Sequence, residues 1–233
     1  MDWTLAITRN REQLRSIVAA LFALTGMVKG GMLTTLPRNL YLMTLAILRP
    51  AESAVRRLIV IAAHGINPSS IAHRAPKPGG WLDLPPRGGE IREAGRGGPE
   101  KHKAFQLFDP LKSFDPDLIW NAEPVWESGY TLSQSPYSSS EAESNPRLDA
   151  TLLGQRLDAL ARALDTLPHQ ARRLIRWQLK RDAKRKARKP TRMSPMRPGL
   201  PPGWRERRLH EVDDILRECH GLANDLLNAP DSS

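Results

Sequence analysis

Apolar positions in this chain repeat at helical spacing at both ends and lose all period between them. Near the start, Leu14, Ile17, Val18, Leu21, Phe22 and Leu24 recur at intervals suited to one helix face. That pattern predicts a helix from Trp3 to Met27, with Gly30-Gly31 just past its end. A second helix is expected from Pro37 through Leu48, capped by Thr34 or Thr35, and a third from Pro50 to Gly65, since proline suits a first helical turn and interrupts later ones. Leu40–Leu48 and Leu58–Ala63 are apolar on every side, as in a helix wholly buried in protein or in lipid.

The far end has the clearest period. Leu153, Leu157, Leu160, Leu164 and Leu167 form one seam, and Leu209, Val212, Leu216, Cys219, Ala223 and Leu226 form another. Asn145-Pro146 supplies a cap and a first-turn proline for the former, with helix returning from 149 onward. Pro168 permits a break, after which a basic helix runs to about Lys189 and a Pro-rich linker, Pro190 to Pro202, lets the last helix fold back. Each seam calls for another helix, supplied by this chain or by a second copy in a homo-oligomer.

Between these ends, residues 67–148 hold breakers and no sustained period, which predicts a long, largely disordered insertion. One stretch stands out. Phe-Asp-Pro occurs at Phe108-Asp109-Pro110 and again at Phe114-Asp115-Pro116, and three of the four Phe and two of the six Trp lie between Phe105 and Trp126. Phe105, Phe108, Phe114, Trp120 and Trp126 are therefore candidate anchors for a protein partner, unless they dock as a strap on the chain's own helices. Docking in cis is the expectation favoured by the ordinary behaviour of aromatic side chains.

The fold class expected is all-α: a helical bundle formed by the N-terminal helices of residues 1–66 and the C-terminal helices of 149–229, around a long central insertion. Composition agrees, with 20 Pro and 16 Gly against few aromatics in 233 residues. The longest uncharged apolar stretch, Ser16 to Val28, is shorter than the ~18–20 residues of a membrane span, and Lys29, Arg38, Arg49, Arg56 and Arg57 break any longer run. As a signal peptide, the segment after Arg9, Arg11 and Arg15 lacks a small-x-small cleavage site. The single cysteine, Cys219, forbids an intrachain disulfide and fits a reducing cytoplasm.

Charge sharpens the picture. The net charge is +10, and residues 172–208 hold fifteen Lys or Arg against Asp182 and Glu206 alone. On a helix, Ala171, Leu174, Ile175 and Gln178 share one face, while Arg173, Arg176, Lys180 and Lys184 line the opposite one. Together with Arg181, Arg185, Lys186, Arg188 and Lys189 they form a candidate surface for an anionic partner, either nucleic acid or an anionic membrane, with a solvated, highly charged helix tip as the third reading of equal weight. Phosphate contacts of this kind carry no sequence information.

Signals for catalysis, metal or cofactor are poor, and no enzyme is expected. His210-Glu211-Val212-Asp213-Asp214 lacks a second histidine at zinc spacing, and Cys219-His220 point about 100° apart on a helix. No phosphate loop, dinucleotide pattern or nucleophile elbow is present. The segments RPAESAVRRLIVIAAHGI, FDPLKSFDP and HEVDDILRECHGLA together resemble uncharacterised alphaproteobacterial proteins of no assigned activity. The resemblance implies a bacterial cytoplasmic setting and carries no functional residue with it. The leading expectation is a non-enzymatic interaction or adaptor protein; the alternatives are a nucleic-acid-binding accessory protein and a peripheral membrane protein.

Overall fold

The computed structural model describes residues 3–68, 104–110 and 146–228. It is all-α apart from one short ribbon. The order is α1 (Trp3–Thr25), β1 (Thr35–Pro37), α2 (Arg38–His64), β2 (Arg147–Asp149), α3 (Thr151–Asp165), α4 (Leu167–Lys186) and α5 (Glu211–Asn228). Both ends of the chain share one core, with α2 at its centre, packed against α1, α3, α4 and α5. Most of the central insertion lies outside the described residues; Ala104–Pro110 is described and docks on α2 and α4, so part of that stretch is built into the fold.

Helix α1 ends earlier than its apolar pattern suggests. Gly26 takes a left-handed φ of 64°, and the Met27 amide donates to the Phe22 carbonyl, the reverse turn by which glycine closes a helix. Leu14, Ile17, Val18 and Leu21 face the core, as spaced. The Arg11 guanidinium donates to the Leu164 and Asp165 carbonyls at 2.8 and 3.0 Å, supplying donors at the end of α3.

The second and third expected helices are one. Proline at position 50 has no N–H, so the Ala46 carbonyl loses its helical donor. Arg205 replaces it from across the fold: Nη2 donates to the Ala46 oxygen at 2.8 Å. Gly203, at φ 83°, lets the chain pass so close to Pro50 that a Cβ there would lie 2.7 Å from the proline nitrogen. Thr34 and Thr35 do not cap α2, which begins after Pro37 without a side-chain cap. Instead, β1 pairs antiparallel with β2, Leu36 opposite Leu148, and the Arg38 amide donates to the Pro146 carbonyl. Residues 147–149 are thus strand, and α3 starts at Thr151.

Residues 51–61 of α2 are buried around the whole circumference, whereas Leu42 and Met43 are about half exposed. Of the two all-apolar stretches, only the second is enclosed. Leu153, Leu157, Leu160, Leu164 and Leu167 are all buried against this chain's own helices, as are Val212, Leu216, Cys219 and Ala223. Leu209 falls before α5 and is exposed; Ile215 and Leu222 are buried beside the second seam instead. Among the described residues, no helix is long and apolar enough to cross a membrane.

Candidate functional site

Helix α4 changes character along its length. Ala171, Leu174 and Ile175 are buried, so the first half is anchored in the core. Trp177 is half buried, its ring tilted against Phe108 with centroids 4.9 Å apart, and the Arg181 guanidinium lies over the Trp177 ring, 5.3 Å from its centroid. Beyond that collar, residues 183–190 are exposed at every position. Arg176, Lys180, Lys184, Arg185, Lys186, Arg188 and Lys189 reach solvent with no acidic side chain paired to them among the described residues. The helix closes on Arg188, which holds a left-handed φ of 52° where glycine is the favoured residue, while the Lys189 amide donates to the Lys184 carbonyl.

Two members of the expected anionic-partner surface are used inside the protein. Arg173 donates to the Phe105 carbonyl and to Gln170, and Arg181 pairs with Asp182 at 2.8 Å and donates to the Met193 carbonyl. Both point toward the docked segments, because these segments lie along the α4 flank that a helical wheel assigns to solvent. The seven remaining cations still form one surface, concentrated at the C-terminal end of the helix.

The docked segment explains the aromatic residues as far as they are described. Phe105 is buried at 6 % exposure beneath Arg56, and Phe108 is packed between Trp177 and Arg192. Both rings pack on this chain's own side chains, as in docking in cis. Phe114, Trp120 and Trp126 lie outside the described residues.

Beneath the segment sits a charge cluster that periodicity concealed. Arg57, fully buried, donates to Asp109 Oδ2 at 2.8 Å and to the Ser53 carbonyl and hydroxyl, and its Nε reaches His220 Nδ1 at 3.3 Å. Arg56 lies 3.5 Å from Asp109 and 3.4 Å from Glu52, and Arg156 grips Glu52 with two bonds of 2.9 Å. Burial pushes the Arg56 pKa below its ordinary value, with Glu52 and Asp109 pulling it back; the hydrogen bonds to Glu52 hold Arg156 above its own. Burial, then the positive charge of Arg57, lowers the His220 pKa. Since Arg57 only donates, His220 Nδ1 must accept; a proton left on Nε2 then requires the Asn224 amide, 3.2 Å away, to turn its oxygen toward the ring.

The other candidate chemistry is absorbed by structure. Asp213 accepts the Leu209 and His210 amides at 2.9 and 3.2 Å while His210 Nδ1 accepts the Val212 amide, a reciprocal cap that starts α5. Cys219 is fully buried and its thiol is pushed up to about 12 by desolvation, which removes it as a nucleophile at neutral pH. An open cleft of about 420 Å³ runs along residues 104–110 beside Arg173 and Arg192, whose guanidiniums already serve backbone carbonyls.

No protein-family model, curated protein or solved structure matches the chain.

Proposed function

We propose that this is a nucleic-acid-binding accessory protein that grips phosphates with the exposed end of α4. The observation carrying this reading is the set of seven cations, from Arg176 to Lys189, that no acid neutralises among the described residues while the same helix is anchored by Ala171, Leu174 and Ile175. From 176 to 186 these charges span about 15 Å at 1.5 Å per residue, a length over which duplex DNA presents several phosphates. Two features make this preferable to the adaptor and membrane readings. Phe105 is buried and Phe108 is half buried between Trp177 and Arg192, and Leu14, Ile17, Val18 and Leu21 of α1 are turned into the core, which leaves little of these apolar groups for a protein partner or a bilayer.

Cations in the last turn also complement the helix dipole, which accounts for Lys184, Arg185 and Lys186 without any ligand. It does not account for Arg176, Lys180 or for an arginine at the left-handed position 188, where a small residue is cheaper. The test is full-length protein titrated onto a fluorescent 20-mer duplex, with salt raised from about 50 to about 300 mM. Wild type should bind with a steep salt dependence, and replacing Lys184, Arg185, Lys186, Arg188 and Lys189 by Gln should flatten the log–log slope by up to about 4. Equal slopes, or no binding at the lowest salt, would reject the reading.

A further inference from the structure

The docked segment is held almost entirely through features that a second stretch of this chain also has. Arg56 Nε reads the Gln106 carbonyl at 3.1 Å, Arg173 the Phe105 carbonyl at 3.2 Å and Arg192 the Asp109 carbonyl at 2.9 Å. The Asp109 amide donates to the Pro195 carbonyl at 3.0 Å. These contacts are to main chain and are blind to side-chain identity. Side-chain recognition rests on two residues: Phe108, stacked between Trp177 and Arg192, and Asp109, whose carboxylate takes Arg57, Arg56 and the Arg197 amide. Phe105 and Leu107 add apolar burial, while Ala104, Gln106 and Pro110 are exposed.

Six residues later the sequence repeats the recognised pair. Aligning Phe114-Asp115-Pro116 on Phe108-Asp109-Pro110 sets Leu111 in the place of Phe105, Lys112 in that of the exposed Gln106, and Ser113 in that of Leu107. Only the last change removes a wanted apolar group, so the second copy is the weaker ligand. Chain length does not obstruct it. Residues 117–145 would still join the slot to Pro146, and 29 residues reach about 95 Å against about 40 Å for the width of a domain of this size.

We propose that the groove formed by Arg56, Arg57, Trp177, Arg192 and Pro195 is a Phe-Asp-Pro recognition site, and that Phe114-Asp115-Pro116 of the same chain is its second ligand, exchanged with the first by a six-residue shift in register. The site discriminates by the Phe–Asp pair, and the exchange leaves one Phe-Asp-Pro outside the groove at a time. Because both ligands bind one site, whatever removes the first shifts occupancy to the second.

Amide hydrogen exchange on the full chain reads the register directly. Wild type should protect peptides covering 104–110. In Asp109→Ala the protection should move to 111–116, with the Asp115 amide slowed about tenfold or more over its wild-type rate. Asp115→Ala alone should change nothing, and the double variant should protect neither segment and melt below either single one. A pair of variants that keeps both carboxylates, Leu107→Ser with Ser113→Leu, should move protection to the second repeat as well. The proposal is overturned if Asp109→Ala melts as low as the double variant, if 111–116 gains no protection in the leucine-exchanged protein, or if that protection rises with protein concentration, which would make the ligand a second molecule.

Discussion

Replacing Arg57 by Met separates the two possible roles of the buried pair, since the methionine fills similar space without a charge. In the native protein Arg57 and Asp109 have fully buried side chains joined at 2.8 Å, with a second, longer bond of 3.4 Å. Removing one partner of such a pair strands the other and costs about 3–5 kcal/mol. Asp109 would keep Arg56 at 3.5 Å and the Arg197 amide at 3.3 Å, which places the expected loss near the lower limit, about 3 kcal/mol. With a urea dependence of about 2 kcal/mol per molar, the unfolding midpoint followed by circular dichroism should fall by about 1.5 M at unchanged slope. Arg57→Lys should lie between, because a lysine keeps charge but cannot serve Asp109, Ser53 and His220 together. Either Phe-Asp-Pro copy needs Arg57, so register exchange offers no rescue. A midpoint within about 0.5 M of wild type would refute the reasoning, because it would mean that the carboxylate is solvated or repaired without its arginine.

Arg205→Met should cost about 1–2 kcal/mol by leaving the Ala46 carbonyl without a donor, and the same change in a Pro50→Ala background should cost less, since alanine restores the helical N–H; equal losses by urea titration would remove Arg205 from this role. Gly203→Ala should lower stability by more than about 1 kcal/mol, because the new Cβ meets the backbone of Pro50 at a positive φ; a thermal melt matching wild type would refute it. Acidification should also weaken the fold through His220. Its folded pKa is depressed while the unfolded value stays near 6.5, so the unfolded chain takes the proton first; stability is complete above that pH and declines as pH falls below it. Urea midpoints at pH 7.5 and 5.5 should differ in wild type by more than in His220→Gln, and equal differences would exclude the histidine.

What could be read from the chain alone depended on repetition and on locality. The leucine seam of α3 announces itself because it recurs through four turns, and the basic end of α4 because its apolar face runs out at Ala183 and Ala187. The continuity of α2 was hidden because the donor that repairs Pro50 stands 155 residues later, at Arg205, and a proline inside an apolar run reads locally as a boundary. Strands of three residues are too short to show a period, which is why the β1–β2 ribbon was missed. The buried cluster was missed for a related reason. Arg56 and Arg57 look like interruptions of an apolar helix until Asp109, 52 positions from Arg57, supplies the countercharge. One local sign was available: Ser53, one turn before Arg57, offers its hydroxyl and carbonyl within the same helix.

The division of labour between arginine and lysine bears on what the α4 end recognises. Arginine offers five donors in a fixed fork and cannot shed its charge, so it suits carbonyls left open where the backbone turns. This chain uses it that way repeatedly: Arg11 on Leu164 and Asp165, Arg192 on Asp109 and Pro195, Arg205 on Ala46, Arg217 on Arg205 and Glu206. Among the described residues, lysine takes none of these carbonyl-serving roles. Among the described residues, Lys29 pairs with Asp165, and the other lysines, Lys180, Lys184, Lys186 and Lys189, all lie in α4 or just beyond its end. A strongly hydrated ammonium on a flexible stem gains little from fixed geometry and suits contacts that change partners, as with successive phosphates of a nucleic-acid backbone. Arginines that need a defined partner lie within the fold, and the interchangeable charges stand outside it. Exchanging Lys180, Lys184, Lys186 and Lys189 for Arg should therefore leave the salt slope of duplex binding unchanged, since the slope counts neutralised phosphates and not bond geometry. A slope that steepens or flattens with this exchange would show that the surface reads its ligand by geometry after all.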